Sequence, residues 1–265
     1  MNMNRFSGPV LCMAMLALSG CGGDGSSSPL DSTVISGKAT KGPLNKGTVK
    51  VFAVNAEGVE AATPLKQGQT DAVGNFSIDI GTYKGPVVVE ATGSFTDEVS
   101  TTTTVTLQSP LRAVFSNAST GKNTVAVTPL TELACTKAKR GGAKLTKDTI
   151  KAANAAINAQ FGLADIVSTL PDAKGATLEQ KKYAAACGTV SQLANTSATK
   201  SGKRLDDALT DVMSKMESEI ENTGDLSVDS VNELNAAGVE FRSTHDTGLT
   251  EAEAPHVETH SGGTL

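Results

Sequence analysis

Val127-Thr128-Pro129-Leu130-Thr131-Glu132-Leu133 is the stretch at which the pattern of apolar residues changes. Thr128 is a residue type that caps helix N-termini, and proline suits the first helical position that Pro129 would occupy. Upstream of it, short apolar runs are separated by turn residues; downstream, apolar residues recur at helical spacing. The sequence therefore predicts an α+β fold of two domains, with the boundary between residues 127 and 128.

The upstream domain, residues 33–127, is predicted to be an antiparallel β-sandwich. Its clearest strand is 75–80, where Phe76, Ile78 and Ile80 alternate with polar residues. The other candidate strands are 34–40, 48–54, 86–92, 99–107, 111–115 and 124–127. About seven short strands at this spacing are typical of a sandwich of the transthyretin or immunoglobulin type.

The downstream domain, residues 128–243, is predicted to be an alanine-rich helical bundle. After the helix that begins at Pro129, the predicted helices cover 147–161, 178–198, 204–222 and 228–241. Thr177 and Gln180 have the spacing of a capping box at the start of the third helix. Residues 244–265 are polar and aperiodic, so they are predicted to be a disordered tail.

Three segments of the upstream domain resemble the carboxypeptidase regulatory-like, or transthyretin-like, modules of bacterial surface lipoproteins. They are residues 35–39, residues 47–51 and the turn from Thr70 to Phe76, which fits the pattern Thr-Asp-x-x-Gly-x-[Phe/Tyr]. The junction at 127–133 is similar to that of lipoproteins in which a helical domain follows such a sandwich. The resemblance implies the fold of this half and no particular chemistry.

The segment Leu18-Ser19-Gly20-Cys21 resembles a bacterial lipobox. Arg5 precedes an apolar core of about ten residues, which fits a signal peptide and is short of the roughly 20 residues of a membrane-spanning helix. Cleavage between Gly20 and Cys21 would remove residues 1–20 and leave 21–32 as a Gly/Ser-rich tether. The alternative is an ordinary secretory signal that is cleaved elsewhere.

The lipobox resemblance implies a membrane anchor on Cys21. The family carries a diacylglyceryl group and usually a third acyl chain on this cysteine, and two or more chains hold firmly. In the best-studied sorting rule, Asp after the cysteine retains a lipoprotein in the inner membrane. Because Gly22 occupies that position, the expected location is the outer membrane, on its periplasmic face or at the cell surface.

Composition narrows the possible partners. Loss of Arg5 with the signal changes the net charge from −5 to about −6, and no basic stripe is present, so nucleic acid is not expected as a partner. The chain has no Trp and only two Tyr, which leaves few aromatic platforms for sugars or bases.

Cys135 and Cys187 remain after removal of the signal and acylation of Cys21. In an exported protein such a pair is predicted to form a disulfide. The alternative is that both are free, buried thiols that act as small apolar residues.

All three histidines, His245, His256 and His260, fall in the predicted tail. His256 and His260 have the four-residue spacing of helical metal ligands, so a weak metal site is an alternative to a solvated tail. The predicted domains therefore lack the commonest general base, and the sequence has no nucleophile elbow, phosphate loop or dinucleotide fingerprint.

These observations predict a protein that is not an enzyme and has no cofactor or metal. Its expected function is adhesion, scaffolding or assembly through contact with another component of the cell envelope. The alternative is a lipoprotein that binds a small ligand or glycan in a pocket between its two domains.

Overall fold

The computed structural model describes residues 31–100 and 102–259. The predicted signal peptide, the lipidation site at Cys21 and the tether up to residue 30 lie outside the described residues, as does His260.

The first half of the described chain forms eight strands: β1 (Thr33–Ala39), β2 (Leu44–Ala53), β3 (Lys66–Gln69), β4 (Asn75–Asp79), β5 (Gly85–Thr96), β6 (Thr104–Thr106), β7 (Leu111–Ala118) and β8 (Gly121–Val127). They build a three-stranded sheet in the order β4-β1-β8 and a five-stranded sheet in the order β3-β2-β5-β6, in which β7 also pairs with β5. β3 was not predicted, because its residues Lys-Gln-Gly-Gln are all polar or Gly and show no alternation. The predicted strand 99–107 is reduced to the three residues of β6.

One strand pair is parallel, whereas the predicted sandwich was entirely antiparallel. β1 pairs with β8 from Thr33↔Gly121 to Ala39↔Val127, and its other edge pairs with β4 in the antiparallel sense. Parallel neighbours need a long crossover, and here the crossover is everything between the first and last strands. Such a pairing cannot be deduced from the alternation within either strand.

The second half forms five α-helices: α1 (Pro129–Lys139), α2 (Lys147–Gln160), α3 (Leu178–Ser201), α4 (Leu205–Thr223) and α5 (Val228–Thr244). Thr128 caps α1 in a capping box with Thr131, and Pro129 is in the first turn, as predicted. The capping box between Thr177 and Gln180 at the start of α3 is also confirmed. The chain is therefore α+β, with strands and helices in the predicted order.

The apolar core is continuous between the two halves. One cluster joins inward residues of both sheets to residues of α1, α2, α3, α4 and α5. A second cluster packs Val88 and Val114, from the opposite face of the five-stranded sheet, against Cys135 of α1 and Ile150 of α2. Coverage of both faces explains the uninterrupted apolar run Val87-Val88-Val89 in β5.

Residues 245–259 are packed against the helices, contrary to the predicted disorder. Val257 is 4% exposed, and its backbone N–H and C=O both bond to the side chain of Asn235 on α5. The backbone N–H of Glu258 donates to the carbonyl of Gln160 at the end of α2. Two buried side chains, Thr247 and Val257, and these three hydrogen bonds produce no periodic pattern, so this packing could not be predicted from the sequence.

No helix in the described part of the chain is long and apolar enough to cross a membrane.

Candidate functional site

The predicted disulfide is not present: Cys135 and Cys187 are both free and buried. Cys135 lies in the cluster between α1, α2 and the sheet, whereas Cys187 on α3 belongs to the other core cluster. Both thiols therefore act as small apolar residues in separate parts of the core. Burial raises the pKa of Cys135 to about 12 and that of Cys187 well above its usual range, which disfavours either as a nucleophile.

The described histidines do not form a metal centre. His245 follows α5, stacks on the ring of Phe241 with centroids 4.5 Å apart and bonds to the hydroxyl of Thr244. His256 is exposed, and its predicted partner His260 is outside the described residues. Within 31–100 and 102–259, no group of three His, Cys, Asp or Glu side chains is placed to hold a metal ion.

A small cavity lies where the strand half meets the helical half. Its volume is about 40 Å³, and its walls come from the loop between β6 and β7, the start of α1 and one face of α4. Lys41, Pro129, Met213 and Glu217 are among its lining residues. Ligand pockets are usually about 300–1,000 Å³, so this cavity suits water and not an organic ligand.

An acidic and a basic side chain are paired beside this cavity. Glu132 of α1 is 2% exposed and receives Nε of Arg112 at 3.0 Å and the backbone N–H of Arg112 at 2.6 Å. This ion pair raises the pKa of Arg112 above its usual value. It also fastens α1 to β7, because Arg112 belongs to that strand.

Glu217 on α4 faces the same ion pair. Burial raises the pKa of Glu217 to about 7, the carboxylates of Glu132 and Glu221 act in the same direction, and Arg112 opposes them. The protonation state of this carboxyl therefore changes near neutral pH.

A second charged cluster contains Lys41, which is only 1% exposed. Its Nζ lies 2.5 Å from Oγ of Ser191 on α3, 3.5 Å from Oε2 of Glu98 and 3.9 Å from Oδ2 of Asp97. The ammonium group also lies 5.5 Å from the ring centre of Phe95. The buried amine of Lys41 is therefore surrounded by the end of β5, which carries Asp97 and Glu98, and by Ser191 of α3 in the other half.

Neither charged cluster was predicted from the sequence. Lys41 sits in a Lys-Gly-Pro turn, where a lysine is ordinarily solvated, and Asp97 and Glu98 fall between two predicted strands. The one local indication of the Lys41 cluster was the adjacent acidic pair Asp97 and Glu98 at the end of a strand. Their convergence with Ser191 depends on the packing of α3, which no pattern within a segment reveals.

A larger, open depression of about 370 Å³ lies among α3, α4 and α5, away from the junction. Hydroxyl groups and charged residues border it, including the ion pair between Lys215 and Glu233 at 2.8 Å. It is not the pocket between the two halves that the ligand-binding alternative requires.

No protein-family model matches this chain, and no curated protein matches it. Among solved structures, a 9R-lipoxygenase from Cyanothece PCC8801 aligns with 73% of this chain at 13% sequence identity and a TM-score of 0.22. The alignment spans 27% of the lipoxygenase chain. A similarity at this level supports no inference about fold or activity.

Proposed function

We propose that this chain is a lipoprotein anchored in the bacterial outer membrane through acyl chains on Cys21, and that it acts by contact with another envelope component. The single observation that carries the proposal is the sequence Leu18-Ser19-Gly20-Cys21 after a short apolar segment. Each buried methylene contributes about 0.8 kcal/mol, so two or three acyl chains hold a protein at a membrane for long periods.

The upstream half is proposed to be a carboxypeptidase regulatory-like module. The turn that carries the resemblance is tied into the fold: the hydroxyl of Thr70 accepts from the backbone N–H of Gly47 at 2.8 Å. Oδ1 of Asp71 accepts from the backbone N–H groups of Val73 and Asn75 at 2.9 and 2.8 Å. The residues of this pattern thus hold a turn, a structural use that fits a rigid display module.

Several features favour contact over catalysis. The thiols of Cys135 and Cys187 are buried and hard to ionise, and the junction cavity holds about 40 Å³. The small volume also disfavours the alternative of a ligand pocket between the halves.

Metabolic labelling with an alkyne-bearing fatty acid tests the anchor. We expect label on the wild type and none on Cys21→Ser, since the acyl-bearing sulfur is lost. Cys12→Ser is the matched control, because Cys12 lies within the predicted signal and its loss should leave labelling intact. An unlabelled wild type, or a labelled Cys21→Ser, would contradict the proposal.

Chemical cross-linking of intact cells tests the contact. The wild type should give a discrete adduct with an envelope component, and Cys21→Ser should lose it because the soluble variant no longer shares the membrane surface. A wild type that is anchored but gives no adduct would remove the support for action by contact.

A further inference from the structure

Lys41 and Asp97 are brought together by the pairing of two central strands. Lys41 lies shortly before β2 and Asp97 directly after β5, and these strands pair with Leu44 opposite Phe95. The side chains of Lys41 and Asp97 are each 1% exposed. The sheet therefore holds an amine and a carboxyl group face to face in a site closed to solvent.

The carboxyl group of Asp97 is strongly oriented. Its Oδ1 accepts three hydrogen bonds, from the backbone N–H groups of Val99 at 3.0 Å and Ser100 at 2.9 Å and from Nδ2 of Asn195 at 2.8 Å. Its other oxygen, Oδ2, is the one that faces Nζ of Lys41, at 3.9 Å. Donors that are fixed on one oxygen stabilise the negative charge that develops there when a nucleophile attacks the carboxyl carbon.

The carboxylate of Glu98 also lies beside the amine of Lys41. Its Oε2 lies 3.5 Å from Nζ of Lys41 and accepts a hydrogen bond from the hydroxyl of Ser191. Its Oε1 accepts from the backbone N–H of Gly42 at 2.7 Å, which fixes the orientation of the carboxylate. A second carboxylate within reach of the amine is what general acid–base catalysis requires.

From this geometry we propose that Lys41 and Asp97 form an intramolecular isopeptide bond. Glu98 takes one proton from the ammonium group and passes it to the Asp97 carboxylate. The neutral Nζ then attacks Cγ of Asp97, and Oδ1 carries the developing charge within its three donors. The bond between Cγ and Oδ2 breaks, Oδ2 leaves as water with two protons of the original ammonium, and Glu98 ends as a carboxylate.

The reaction needs no oxidant, metal or cofactor. The ammonium and carboxylate become an amide plus one water, so atoms and charge balance. It also replaces two buried charges by a neutral group, which removes the desolvation penalty of burying an ion pair. Nζ of Lys41 lies 3.9 Å from Oδ2 of Asp97. Reacting atoms in productive complexes lie about 3–3.5 Å apart, so the two side chains must move closer before Nζ reaches Cγ.

Peptide mass spectrometry of the full-length protein, extracted from membranes, tests the bond. Trypsin should not cleave after Lys41, and a branched peptide should join residues 39–46 to residues 85–112. Its mass should equal the two arms less one water, and fragmentation should place the link at Lys41 and Asp97. Two separate peptides, or a link from Lys41 to Glu98, would overturn the proposal.

Three variants isolate the chemistry. Asp97→Ala removes the electrophile and should abolish the branched peptide, and Glu98→Gln should slow its formation at least tenfold because the proton carrier is lost. Glu90→Gln is the matched control: Glu90 faces Lys50 at 3.6 Å across the same two strands, but on a more exposed surface. This control should keep the branched peptide. Circular dichroism tests whether each variant is folded. If Asp97→Ala is unfolded, folded Glu98→Gln decides: formation of the branched peptide at the wild-type rate would contradict the mechanism.

Discussion

Glu217 shows how a single side chain makes stability depend on pH. Its carboxyl lies on α4 beside the buried Glu132, and its pKa in the folded protein is about 7, above the ordinary value of 4.5. When folding raises the pKa of a group, its contribution to the free energy of unfolding is fully present below the pKa in the unfolded chain. That contribution is lost as the pH rises through the pKa in the folded protein. The loss from this residue should therefore occur between about pH 4.5 and pH 7 and be nearly complete by pH 8.

Glu217→Gln should remove this loss, because the amide stays neutral at every pH. Between pH 5 and pH 8, we expect the free energy of unfolding of the variant to rise by about 1–2 kcal/mol relative to that of the wild type, after allowance for solvent screening. Urea unfolding at the two pH values measures the change. Glu221→Gln, at an exposed site one turn further along α4, is the comparison. It removes only the lesser contribution of Glu221 to the raised pKa of Glu217, so most of the pH dependence should remain. Parallel pH profiles for wild type and Glu217→Gln would contradict the prediction.

The packing of α3 against α5 depends on one small residue. Gly188 on α3 faces the ring of Phe241 on α5, and a Cβ at position 188 would lie 2.3 Å from two of its ring atoms. Gly238 on α5 lies at the same interface, but a Cβ there would meet only the ends of the Thr189 and Arg242 side chains, at 3.1 and 3.3 Å.

Gly188→Ala should destabilise the protein by about 1–3 kcal/mol, since overpacking outweighs the gain in helix propensity. Gly238→Ala is the matched comparison and should lie within about 1 kcal/mol of the wild type. Urea unfolding of both variants measures the difference. Gly188→Ala/Phe241→Leu should recover part of the loss, and a Gly188→Ala variant as stable as the wild type would show that α3 and α5 can separate at no cost.

The elements themselves could largely be predicted from the sequence, because local chemistry defines them. Thr128 and Pro129 begin α1, and Thr177 with Gln180 begins α3, as their residue types indicate. β3 could not be predicted, since its four residues contribute no apolar face. The charged clusters around Glu132 and Lys41 were equally inaccessible, because each joins segments that are distant along the chain.

At the scale of the molecule, the segment after α5 joins parts of the helical half. It bonds to Asn235 on α5 and to Gln160 on α2, and Val257 contributes a buried side chain. Its packing is contrary to the disorder predicted for residues 244–265. The sequence could not reveal this, because the partners Asn235 and Gln160 are polar positions on other helices.

Deletion of residues 246–265 should lower the free energy of unfolding by about 1–3 kcal/mol. The deletion removes the buried side chains of Thr247 and Val257 and three hydrogen bonds to Asn235 and Gln160, and the entropy of ordering the segment offsets part of this loss. Val257→Asp in the full chain should reproduce most of the loss, whereas His256→Asp at the exposed neighbouring position should not. Thermal unfolding by circular dichroism measures all three. Equal melting temperatures for the deletion and the wild type would contradict this prediction and would fit the disordered tail predicted from the sequence.

The parallel pairing of β1 with β8 determines how the protein would carry a mechanical load. β1 begins at Thr33, on the side of the proposed anchor, and β8 ends at Val127, directly before the helices. With Cys21 held in a membrane, a pull on the helical half would act on opposite ends of two neighbouring strands. The force would run along the strands, so the seven paired positions between them would be loaded together in shear and not peeled apart one at a time. A protein tethered in this way would transmit tension to the membrane before its sheet opened.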